Sequence, residues 1–177
     1  LFINNRKNFL DKVDKNSASV FVSNEFMPTN ADETLHFVQN TNLLYLTGID
    51  QEDTFLILAP NFPDKKMREI LFIKETSEEI AIWEGNKFTK EEARKISGIE
   101  TIMWNNNFKN VLDLILAQTE SIYLEKNEHI RSSTKIETPQ DRFLNEIKKS
   151  YPTYKIKRSY PICLLYTSDA ADDLIGV

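Results

Sequence analysis

The stretch Leu43-Leu44-Tyr45-Leu46-Thr47-Gly48 and, after a short polar link, Thr54-Phe55-Leu56-Ile57-Leu58-Ala59-Pro60 hold two continuous apolar runs, closed by a glycine and by a proline. Short apolar runs bounded by such breakers read as buried strands, so strands are expected at residues 43–46 and 54–59. After the turn-rich residues 61–66, Glu69-Ile70-Leu71-Phe72-Ile73 returns as a third run of the same kind. Three such runs with short links predict hairpin-connected strands at the centre of a sheet.

Upstream, Phe9, Leu10 and Val13 recur at helical spacing, and Ala18-Ser19-Val20-Phe21-Val22 reads as a first buried strand before a polar loop holding Pro28. Downstream, helices dominate. Thr89 and Glu92 form a capping-box pattern and Gly98 stands where a helix would end. Phe108, Val111, Leu112, Ile115 and Leu116 make an amphipathic stripe, and Thr138-Pro139 opens a last helix that buries Phe143, Leu144 and Ile147. Short strands are expected at 101–104, 121–125 and 154–158, the last an edge strand guarded by lysines and an arginine. Strands alternating with helices predict a three-layer α/β domain with a mixed central β-sheet flanked by helices.

The 177 residues are 41% hydrophobic, so a single domain can bury a core without disulfides or a structural metal. Its net charge of −5 is spread through interleaved acids and bases, with no basic stripe for phosphates, so nucleic acid is not an expected partner. No apolar run approaches the roughly 20 residues of a membrane span, and a cytoplasmic location is expected. Cys163 is the only cysteine, which excludes an intramolecular disulfide and a cysteine-based zinc site.

Catalytic chemistry is hard to find. The four glycines, Gly48, Gly85, Gly98 and Gly176, are too scattered to cradle a phosphate. His36 and His129 are far apart and give no metal-ligand spacing, while Glu78-Glu79 reads as a solvated turn. Trp83 precedes Gly85 at the end of a short apolar run and reads equally as a core or rim aromatic and as an interface residue.

Two segments carry a resemblance. The first runs from Asn30-Ala31-Asp32 through Phe37-Val38-Gln39-Asn40-Thr41-Asn42-Leu43-Leu44-Tyr45-Leu46-Thr47-Gly48, and the second from Leu71-Phe72-Ile73 through Glu79, Trp83 and Gly85. Together they resemble the N-terminal domain of the aminopeptidase P and creatinase-like family. That resemblance implies a non-catalytic domain placed before a pita-bread catalytic domain that holds two metal ions, usually manganese. In such an enzyme a metal-bridging hydroxide releases an N-terminal residue preceding proline. The partners implied are the chain's own catalytic domain, neighbouring subunits of a homo-oligomer and, in the full-length enzyme, proline-containing peptides. No catalytic residue and no metal ligand fall within this chain. The substrate or interface candidates are Trp83 and, from the acidic loop, Asp32. His36-Phe37-Val38 departs from the family pattern, in which an aromatic or proline is followed by arginine. A peptide-binding module of a pseudo-enzyme relative and the N-terminal domain of a creatinase-type hydrolase are the alternatives.

The last residues have a different character. Cys163-Leu164-Leu165-Tyr166-Thr167-Ser168-Asp169-Ala170-Ala171-Asp172-Asp173 resembles the translation of a transposase-based sequencing adapter. The expected division is therefore a domain over residues 1–162 and a foreign tail over 163–177. Without Asp169, Asp172 and Asp173 the net charge rises from −5 to −2.

Overall fold

Asn40 decides the run at 43–46 against a strand. In the computed structural model, which describes residues 1–30, 32–77, 79, 85–126 and 136–163, its Oδ1 accepts the backbone N–H groups of Asn42 and Leu43 at 2.9 and 3.0 Å. That is a helix N-cap. Helix α2 (Thr41–Thr47) follows, and ends at Gly48 in the left-handed conformation, φ 72°. Leu43 and Leu46, three positions apart, are fully buried, whereas Leu44 is 38% exposed. The apolar run was continuous in sequence, but only one helical face of it enters the core.

The remaining expected elements form. They are α1 (Phe2–Leu10), β1 (Ser17–Val22), β2 (Phe55–Leu58), β3 (Glu69–Ile73), α3 (Lys90–Ser97), β4 (Thr101–Trp104), α4 (Phe108–Leu116), β5 (Ser121–Leu124), α5 (Pro139–Ser150) and β6 (Lys155–Arg158). Both expected N-caps are present as capping boxes, Thr89 with Glu92 and Thr138 with Asp141. The six strands lie in the order β4-β3-β2-β1-β5-β6. Strand β2 is antiparallel to both neighbours, and every other pairing is parallel. The antiparallel partner on the far side of β2 from β3 is therefore β1, not residues 43–46.

Alternation along the strands feeds two cores. Phe21, Leu56, Leu58, Leu71 and Ile73 pack with Phe9, Leu43, Leu46 and Ala93 beneath α1, α2 and α3. Val20, Val22, Ile57, Ile70 and Phe72 pack with Phe108, Leu112, Ile115 and Ile147 beneath α4 and α5. This is the expected three-layer arrangement with a mixed sheet.

Helix α1 is locked to its layer by a buried cation. Arg6 is 1% exposed, and it donates to Glu69 Oε2 at 2.8 Å and to the carbonyls of Leu46 and Ser97, both at 2.9 Å. Those carbonyls belong to the last turns of α2 and α3, where carbonyls lack intrahelical donors. The two helix ends are built alike, Thr47-Gly48-Ile49 and Ser97-Gly98-Ile99. In each, the hydroxyl donates to the carbonyl four residues back and accepts the N–H two residues on. One arginine thus serves a matched pair of helix ends.

The sheet also has a switch point. From the carboxyl end of β1 the chain passes through α2, on one face, into the neighbouring antiparallel β2, while from β5 it crosses through α5, on the opposite face, to the parallel β6 on the other side. In open α/β sheets such a reversal leaves a crevice beyond the carboxyl ends of the two strands.

Candidate functional site

A cleft of about 490 Å³ occupies that crevice. Asn24 follows β1, Glu125 follows β5, Tyr160 follows β6, Asn40 and Asn42 start α2, and Gln140 lies in the first turn of α5. Loop residues 24–40 are fastened at both ends by side-chain amides. Gln39 Nε2 donates to the carbonyls of Ile49 and Gln51 at 3.1 and 2.7 Å, while its Oε1 accepts the N–H groups of Asn40 and Asn24. Gln140 Nε2 donates to the Val22 carbonyl at 2.9 Å and to Asn24 Oδ1 at 3.1 Å. The Gln-Asn-Thr-Asn pattern at residues 39–42 is thus a structural clasp.

Glu125 is the centre of the cleft. It is 8% exposed, and its oxygens accept Asn40 Nδ2 at 3.0 Å and Asn42 Nδ2 at 2.5 Å. Burial pushes its carboxyl up to about 7, against the opposing effect of the two amide bonds. Cys163, in the helical turn at residues 160–163, is itself buried, and its thiol is pushed up by burial and then by the Glu125 charge.

Beside the cleft lies an apolar groove of about 660 Å³ between the 24–38 loop and the start of α5. Phe26, Met27, Leu35, Val38 and Ile136 line it while remaining 41 to 66% exposed. An ion pair between Arg142 and Glu25 closes one side. The loop itself doubles back through a bridge between Pro28 and Thr34.

The sequence candidates are dispersed. Asp32 is exposed near the tip of that loop and lines neither cavity. His36 is exposed on the groove. Trp83, Glu78, His129 and residues 164–177 lie outside the described residues. Sequence reading passed over Glu125 because it continues an apolar strand; an acid directly after a fully buried run was the available signal. Among the described residues no three His, Cys, Asp or Glu side chains converge as a metal would require. A pair of manganese ions therefore does not fit the described residues. No described helix is long and apolar enough to cross a membrane. The arrangement offers recognition, by a buried carboxylate, amides and an apolar groove.

The model of the aminopeptidase P N-terminal domain matches residues 2–123, well over half of the chain. This chain belongs to the aminopeptidase P N-terminal domain family. Among relatives, human Xaa-Pro aminopeptidase 3 is 25% identical over 109 residues, which is 60% of this chain and 21% of the human protein. A Bacillus anthracis protein assigned as an aminopeptidase P superposes with a TM-score of 0.81 at 26% identity, over 93% of this chain and 39% of that one. Escherichia coli aminopeptidase P shares the fold at a TM-score of 0.72 and 16% identity, over 92% of this chain and 37% of that one. The family model stops within β5, whereas the fold likeness covers nearly the whole chain. The chain spans well under half the length of each of these relatives.

Proposed function

We propose that this chain is the non-catalytic N-terminal domain of a manganese-dependent Xaa-Pro aminopeptidase of the cytoplasm. In that enzyme it contributes to oligomer assembly and to the opening through which proline-containing peptides enter. The parent enzyme releases an N-terminal residue preceding proline. The observation that carries the reading is the family match over residues 2–123 together with the fold likeness over nearly the whole chain. The two manganese ions and the hydroxide they activate are assigned to a catalytic domain outside this chain.

Trp83, with Asp32 as companion, is proposed to contact the peptide or a neighbouring subunit. In the full-length enzyme, Trp83→Ala is expected to alter peptide kinetics or oligomer size, and a variant unchanged in both sinks that role. The assay for the whole reading is simple. The purified chain with Xaa-Pro peptides and manganese is expected to release no N-terminal residue, and release would overturn the proposal.

A peptide-binding module is the second reading. It is favoured by the cleft and apolar groove, which lie side by side within this domain alone.

A further inference from the structure

Among the described residues, two other carboxylates withdrawn wholly or partly from water have cations. The half-buried Glu69 meets Arg6 and the well-buried Glu52 meets Lys87. Glu125 is the exception. It is buried, its two hydrogen-bond donors are neutral amides, and no cation contributes to its environment among the described residues. An uncompensated buried charge is costly. Each carboxylate oxygen has two acceptor directions, and the two amides take one on each. Glu125 lines the cleft, so that its remaining acceptor capacity is on the cavity's wall.

We propose that the cleft at the β1/β5 switch point is a binding site for one organic cation, a guanidinium or ammonium group carried by an amino acid or short peptide, with Glu125 as counter-ion. The cavity's size suits such a ligand, at about 490 Å³. Its place beyond the carboxyl ends of β1 and β5 is where open α/β sheets bind ligands. Among the described residues Glu125 is the only carboxylate of the lining, and Tyr160 brings an aromatic ring to the same wall, of the kind on which cations also settle. Among the described residues, the other titratable groups beside Glu125 or on the cleft wall are the thiol of Cys163 and the phenol of Tyr160, neither of which is positive in any protonation state, so neither supplies the missing charge. This inference is independent of whether the chain serves a peptidase.

Binding must follow the ionised fraction of Glu125. With its carboxyl at about 7, raising the pH from about 6 to about 8 should tighten binding of a permanently charged cation about tenfold. The experiment titrates the full chain, followed by NMR, with N-acetyl-arginine amide, N-acetyl-lysine amide and the neutral N-acetyl-citrulline amide. Saturable binding of at least one cation is expected, tighter at the higher pH, absent for citrulline and lost in Glu125→Gln. Should the variant fail to fold, the titration of the Glu125 carboxyl in the unaltered chain decides, because a bound cation must lower its midpoint. Absence of saturable binding at the higher pH, equal binding of citrulline, or an unmoved Glu125 titration would each overturn the proposal.

Discussion

Arg6 and Glu125 are both withdrawn from water, and they report on different things. Arg6 satisfies two helix-end carbonyls and Glu69 at once. Arg6→Met should leave those acceptors without their donor and cost about 3 kcal/mol, read as a lower urea midpoint. A loss under about 0.5 kcal/mol, the size of an ordinary surface change, would contradict this. For Glu125 the sign comes from its raised carboxyl. The folded state holds a proton that the unfolded chain has released, so this group's contribution is full below about 4.5 and is lost as the pH rises to about 7. The unaltered chain should therefore lose stability relative to Glu125→Gln across that window. Parallel pH profiles for the two proteins would refute the assignment. Neither residue was legible in the sequence. Arg6 sits among Asn4, Asn5 and Lys7 and looks solvated, and Glu125 closes a strand, because the importance of each lies in contact with residues 40 to 91 positions away.

Elements were more legible than contacts, since caps and periodicity are local. Thr89 and Thr138 announced their helices, and the stripe from Phe108 to Leu116 announced α4. Helix α2 was the exception. Its apolar run has no internal polar break, and the cap that makes it helical is an asparagine lying in a motif that could equally start a strand. The matched ends of α2 and α3 give a test at this scale. Gly48 and Gly98 both adopt left-handed φ, and a Cβ at Gly98 would approach Ile3 Cδ1 to 2.7 Å, while one at Gly48 would run into the ring of Phe2. Gly85 is also left-handed, φ 79°, but no described neighbour lies within 4 Å. Alanine at Gly85 should therefore cost about 1 kcal/mol for the backbone alone, and alanine at Gly48 or Gly98 about 2 kcal/mol or more, because α1 must shift as well. Equal losses at all three positions in thermal unfolding would show that α1 does not press on those helix ends.

At the scale of the whole molecule, the mixed sheet and three layers came from the alternation of strands and helices, whereas the cleft did not, because it is assembled from the ends of three strands and the starts of two helices. The division proposed at residue 162 also belongs here. Cys163 packs in the core beneath α1 and α2, so the test of that boundary falls on residues 164–177. Deleting them is expected to leave the unfolding midpoint unchanged, and a large loss would make that segment part of the domain. The central proposal, that this chain is the non-catalytic partner of a metal-bearing peptidase domain, is tested most directly by release of the N-terminal residue from an Xaa-Pro peptide. The measurement compares the purified chain with a chimera in which residues 1–162 replace the corresponding domain of the Bacillus anthracis relative. No release by the chain alone and manganese-supported release by the chimera are the expected results; turnover by the chain alone, or a folded, metal-loaded chimera without activity, would contradict the proposal.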